Sequence, residues 1–145
     1  VPVSSSEIRA ALQAGDLPRA AKLLGRPYAV QGEVVRGVGR GRTLGFPTAN
    51  VNTGRPLLLP AGVYACHAFL GSARYRAVIN VGVRPTFGET ALAVEAHLLD
   101  FSGDLYGSRI KLQFLRRLRD ERKFPDVEAL RTQIAQDVAA ARRNS

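Results

Sequence analysis

The sequence predicts a mainly β protein, a closed or nearly closed antiparallel barrel flanked by helices. From Tyr28 onward, short runs rich in Val, Ile, Tyr and Phe are bounded by Gly, Pro and Asn. There are five or six such runs, close together, and helical periodicity is confined to the two ends of the chain. Closing such a sheet on itself removes the exposed edges it would otherwise present. At 145 residues the chain suits one compact unit, since a domain of this size buries roughly 68–70% of its unfolded surface.

Ser4-Ser5-Ser6-Glu7 has capping-box spacing, with Ser4 at the cap and Glu7 at the third helical position, ahead of Ile8 and Leu12 on one face. Asp16 is placed to cap a second helix through Leu17 to Leu24, and Gly25 to end it. Residues 1–27 therefore read as a helical lead-in and 28–145 as a barrel domain with its final helix. Strand composition is clearest at Tyr28 to Val35, Val63 to Leu70, Tyr75 to Val81, Leu92 to Leu99 and Arg109 to Leu115. Gly71-Ser72 suits a tight hairpin turn, Ser102-Gly103 marks another, and Asp100 and Asp104 read as turn residues, not calcium ligands. Pro125-Asp126 stops the chain and caps a last helix, whose Val127, Leu130, Ile134 and Val138 form an apolar stripe against the barrel wall. Arg142 and Arg143 suit the negative pole of that helix.

Lys and Arg total 21 against 12 acidic residues, and the formal charge of +9 attracts polyanions, whether nucleotides or nucleic acid. One cysteine, Cys66, cannot form an intrachain disulfide and sits in an apolar run, so it reads as a buried thiol in a reducing compartment. No run approaches the ~20 apolar residues of a membrane span, and the amino terminus lacks signal-peptide order; the expectation is a cytoplasmic protein with no membrane partner. The chain begins at Val1 and contains no Met, which suggests a piece of a longer polypeptide.

Chemistry concentrates between residues 37 and 50. In Gly37-Val38-Gly39-Arg40-Gly41-Arg42 the absent Cβ atoms let backbone N–H groups turn toward a polyphosphate. The loop is neither a Walker A sequence nor a dinucleotide fingerprint. Pro47 fixes its own φ and restricts Phe46, so Thr48 is presented from a preorganised, extended segment, and the Thr48 hydroxyl and Asn50 amide are able to hold a phosphate-bound metal ion. Along Leu92 to Leu99, alternation puts Glu95 and His97 on one face; a carboxylate in an apolar strand faces water or serves a site. Two His and one Cys without short ligand spacing give no zinc site, and no Gly-x-Ser-x-Gly elbow occurs.

The decapeptide Gly41-Arg42-Thr43-Leu44-Gly45-Phe46-Pro47-Thr48-Ala49-Asn50, with Gly37, Gly39 and the later Asn80-Val81-Gly82-Val83-Arg84-Pro85-Thr86-Phe87-Gly88, resembles the riboflavin kinase family, specifically the kinase module of bacterial bifunctional FAD synthetases. The resemblance runs from Tyr28 to the final helix. It implies a six-stranded, Greek-key-like barrel and transfer of the γ-phosphate of ATP to the 5′-hydroxyl of riboflavin, giving FMN and ADP. It further implies Mg²⁺ held through Thr48 and Asn50, and a nucleotide site of Gly37, Gly39, Gly41, Arg42, Pro47, Thr48 and Asn50. Glu95 becomes the general base, at the mouth of the barrel. Arg84, Arg119 and Phe124 become flavin-side contacts, and Gly82, Pro85 and Gly88 belong to a flap over the ligands. A linked amino-terminal FMN adenylyltransferase module is expected in the parent protein. Two alternatives remain on the residues alone: a basic OB-like barrel for single-stranded nucleic acid, against which the scattered aromatics argue, and a flavin-binding module without catalysis.

Overall fold

Alternating side chains close six antiparallel strands into one barrel: β1 (Tyr28–Val35), β2 (Ala49–Asn52), β3 (Gly62–Leu70), β4 (Ala73–Thr86), β5 (Glu89–Leu98) and β6 (Arg109–Arg119), in spatial order β1-β2-β5-β4-β3-β6. The computed structural model describes residues 5–35, 48–54, 57–86, 89–122 and 124–143. Val51, Val94, Ala96, Ile79 and Leu112 point inward with Cys66, and Phe114 stacks edge-on against Tyr64, ring centroids 5.4 Å apart. Burial pushes the Cys66 thiol well above its usual range, so it stays protonated and inert. The two-residue turn at Gly71-Ser72 closes the β3–β4 hairpin at the pair Leu70 and Ala73.

Helices α1 (Ser5–Gln13) and α2 (Leu17–Leu24) contribute Leu12, Leu17 and Ala20 to the same interior cluster. Asp16 caps α2 by accepting from the Arg19 N–H at 3.2 Å, and Gly25 ends it at φ +77°, the left-handed conformation that glycine adopts without strain. The expected cap at Ser4 lies outside the described residues. Among those residues, no helix is long and apolar enough to cross a membrane.

Helix α3 (Val127–Arg143) lies on the outside of β3, β4 and β6. Asp126 caps it, accepting from Ala129 N–H at 2.8 Å. Its buried face differs from the expected stripe: Ala141 and Asp137 are buried, Val138 packs beside them, and Val127 is 54% exposed. Two causes act together. Ala141 lets the helix settle closely over Val63, Ala65, Val78 and Leu99, and Asp137 turns inward to meet Arg119.

Two bulges on β6 make that meeting possible. The register with β3 slips at Leu115 and again at Leu118, each extra residue re-aiming those that follow. Arg117 consequently faces Tyr64 and donates to the Ala61 carbonyl at 2.7 Å, while Arg119 stands opposite Val63 on the outer wall.

Candidate active site

The sequence singles out residues on β2 and β5, and the strand register brings them together. Asn50 pairs with Glu95 across β2 and β5, and Glu95 pairs with Asn80 across β5 and β4. Directly opposed residues in antiparallel strands project on the same side, their Cβ atoms about 4.5–5.5 Å apart. Because Val51, Val94, Ile79 and Val81 belong to the interior cluster, Asn50, Glu95 and Asn80 form a polar row on the outer wall. All three are half-buried. Thr48 directly precedes Ala49, which pairs with Ala96, so Thr48 comes level with the His97 end of β5.

The expected barrel mouth is therefore corrected to the outer wall. The reason is alternation itself: an interior filled with Val, Ala, Ile and aromatic side chains has no room for a carboxylate, and Glu95 falls on the other face.

Asn80 continues from Glu95 toward the part of the wall under α3, where its backbone pairs with buried Val63. Its Oδ1 is buried and has no hydrogen-bond partner among the described residues. An unsatisfied buried oxygen costs about 1–3 kcal/mol. Two positions farther along β4 and facing the same way is Gly82, where a side chain would run into the Glu121 carboxylate. Absence of a Cβ there leaves room for the Glu121 carboxylate to lie directly on the strand. Glu121 thus borders the polar row.

Arg119 anchors this border. Its Nε and Nη2 donate to Asp137 Oδ1 and Oδ2 at 2.9 and 2.8 Å, and Nη1 donates to the Asp120 carbonyl at 2.9 Å. Gln133 adds a bond to Asp137 Oδ1 at 3.1 Å. Phe124 lies under two cations, with Arg122 4.9 Å and Arg119 5.7 Å from its ring centroid. Arg119 and Phe124, paired in the sequence reading, are thus adjacent, although the Arg119 fork is occupied by Asp137.

The other expected site residues divide by position. Gly37, Gly39, Gly41, Arg42, Pro47 and Gly88 lie outside the described residues. Gly82 to Thr86, expected as part of a flap, form the end of β4 and remain laddered to β5 through Arg84 with Ala91, Pro85 with Thr90 and Thr86 with Glu89. Only the backbone is described for Arg84 and Pro85. Among the described residues no group of three or more His, Cys, Asp or Glu is arranged to hold a metal. Thr48 and Asn50 instead offer hard oxygen donors of the kind that share Mg²⁺ with substrate phosphates. That donor chemistry fits Mg²⁺.

Sequence reasoning missed Asn80, Glu121 and Asp137. Asn80 carried a readable signal, being a polar residue on the outward-facing set that includes Val78. Asp137 had one too, an acid four residues after Gln133 and four before Ala141 on the same helical face.

A model of the riboflavin kinase family, Flavokinase, matches residues 24–145. The bifunctional riboflavin kinase/FMN adenylyltransferase of Bacillus subtilis (strain 168) is 44% identical over 145 residues, covering 97% of this chain and 46% of that protein. The chain spans about half the length of the curated relatives it matches. Among solved structures, a Streptococcus pneumoniae chain described as a macrolide-efflux protein superposes with a TM-score of 0.93 at 38% identity, over 99% of this chain and 47% of that one. Riboflavin kinase from Trypanosoma brucei superposes with a TM-score of 0.59 at 26% identity, over 81% of this chain and 78% of that one.

Proposed function

Since the chain belongs to the riboflavin kinase family, we propose that its outer-wall polar row carries out ATP-dependent phosphorylation of riboflavin to FMN, with Glu95 as general base. The observation carrying this reading is the register that sets Asn50 directly beside Glu95, with Thr48 two residues before Asn50. A metal–nucleotide donor set and a proton acceptor are thereby neighbours on one surface.

Glu95 accepts the proton of the terminal ribityl hydroxyl as that oxygen bonds to the γ-phosphorus of ATP. The bond from the γ-phosphorus to the bridging oxygen breaks, and ADP leaves. Thr48 and Asn50 would hold Mg²⁺ together with phosphate oxygens; when bound, the ion offsets charge on the phosphates. Phosphoryl transfer depends mainly on placement and electrostatics. The row supplies placement because its side chains stand on three hydrogen-bonded strands, a more rigid support than a loop. Glu121 and Phe124 form the acceptor-side border.

In the parent protein we expect this module to be joined to an FMN adenylyltransferase module, as in the bifunctional relatives. This half alone should stop at FMN. The free buried thiol at Cys66 and the use of ATP support a cytoplasmic location. Incubation with riboflavin, ATP and Mg²⁺, read by chromatographic separation of FMN, tests the activity. Formation of FMN by the wild-type chain, and its loss in Glu95→Gln with flavin binding retained, is the expected result. Wild-type turnover in Glu95→Gln would remove Glu95 from the mechanism, and flavin binding without FMN would leave a passive flavin-binding module.

A further inference from the structure

We propose that Asp137 is a positioning residue for the flavin substrate: by holding the Arg119 fork, it sets where Asp120, Glu121 and Phe124 lie beside the polar row. The inference rests on the kinase reading above. It begins from burial, since the Asp137 side chain is 6% exposed and its carboxylate receives two Arg119 donors and one from Gln133. The third Arg119 nitrogen, Nη1, donates to the backbone carbonyl of Asp120, the first residue beyond β6. Asp137 is thus tied, through one guanidinium, to the conformation of the chain that follows.

That chain reaches the site. Glu121 rests on Gly82, on the same outward face of β4 as Asn80, two residues away, and Asn80 pairs with Glu95. Alternate residues on a strand are about 6.5–7 Å apart, so the Glu121 carboxylate over Gly82 and the base lie within the span of one ribityl chain. Phe124, held under Arg119 and Arg122, ends the same segment.

Stability alone does not account for the pair. A buried ion pair is often no more stable than apolar residues of similar volume, and the next residue on the helix, Val138, packs in an apolar cluster with Val63, Ala65, Val78 and Leu118. A leucine at 137 would extend that cluster. What a leucine lacks is the planar acceptor that locks a guanidinium in one orientation.

The experiment measures steady-state kinetics with riboflavin and MgATP varied in turn, for the wild type, Asp137→Asn, Asp137→Glu and Val138→Ala. In Asp137→Asn the riboflavin KM should rise about tenfold to a hundredfold while the MgATP KM stays within about twofold, as expected when only one substrate is misplaced. Asp137→Glu should recover part of the loss. Val138→Ala, which thins the same helix interface without touching Arg119, should lower Tm and leave both KM values unchanged. Equal change in both KM values, or no change in either, overturns the proposal. If Asp137→Asn does not fold, Arg119→Lys keeps the charge and loses the fork; its riboflavin affinity, read by flavin fluorescence quenching without ATP, should fall, and an unchanged affinity overturns the proposal equally. A wild-type chain that makes no FMN defeats the kinase reading itself, whereas FMN formation with normal Asp137→Asn kinetics defeats this inference alone.

Discussion

Two stretches of the same barrel wall differ only in what their outward positions carry. Under α3 those positions are Val63, Ala65, Val78 and Leu99, and the helix seals them with Val138 and Ala141. One strand over, the outward positions are Asn50, Glu95 and Asn80, and they remain half-buried and partly open. The strands are shared, since β4 supplies both Val78 and Asn80. The inward positions on both sides feed one continuous core. The barrel is therefore a scaffold whose stability comes from its inside and from the covered wall, while the proposed chemistry falls on outward positions that cost the fold little to exchange.

That division is broken most severely by Glu95→Gln. Turnover should fall by about 10²- to 10⁴-fold, the usual contribution of a general base. Stability should stay within about 0.5 kcal/mol, because the substitution keeps shape and leaves the interior untouched. Thermal unfolding measured beside FMN production checks both halves. A large drop in Tm would show that the row also carries the fold.

The opposite result belongs to Ala141→Leu on the covered wall. Ala141 is 1% exposed and close over Val63 and Ala65, so added methylenes must push the helix outward. Overpacking of this kind costs about 1–3 kcal/mol. The MgATP KM should not move, since Thr48 and Asn50 stand away from the helix on β2 and the turn before it. Differential scanning calorimetry and nucleotide kinetics on one sample separate the two effects.

Asn80 lies on the boundary and should show both. Its buried Oδ1 has no partner, so Asn80→Val removes an unsatisfied oxygen and extends the apolar wall. We expect a gain of about 1 kcal/mol in chemical denaturation together with reduced FMN formation, the trade of activity for stability seen where a site keeps a costly group. Lost stability in Asn80→Val would indicate that the oxygen has a partner in solution.

Much of this contrast was legible before any coordinates. Alternation through Leu92 to Leu99 put Glu95 and His97 on one face and Val94, Ala96 and Leu98 on the other, and the strand keeps that division. Local signals also held where one side chain decides them, as with the caps at Asp16 and Asp126. Strand β2 was not identified, because four residues containing Asn50 and Asn52 have little strand character of their own; pairing on both sides with β1 and β5 makes it a strand. The far end of β6 was hidden for a different reason. Its two bulges change which face each arginine takes, and strict alternation cannot describe a run in which Arg117 and Arg119 answer to Tyr64 and to Asp137. Burial of Asp137 followed from that re-aiming, so the inner face of α3 carries an acid beside the apolar stripe, of which Val138 packs on the wall and Val127 alone is exposed.

The smallest effect concerns the outer wall at the β3–β4 hairpin, beyond the polar row and at the edge of α3, whose Arg142 pairs with Asp100. His67, Arg74, Tyr75, Arg76, Leu99 and Asp100 line a cavity of about 270 Å³. Desolvation, then the charges of Arg74 and Arg76, hold the His67 imidazole below its ordinary 6.5. The unfolded chain therefore binds a proton more readily than the native one through the window from that lowered value up to 6.5. Stability contributed here is complete above the window and lost as pH falls through it. His67→Gln removes the titrating group, so the fall in Tm between pH 7.5 and pH 5, roughly one to two units either side of a free imidazole, should be smaller in the variant than in the wild type. An identical pH slope in both proteins would mean that His67 is neither desolvated nor faced by Arg74 and Arg76 in solution, and that this third stretch of wall is as indifferent to charge as the apolar one beneath α3.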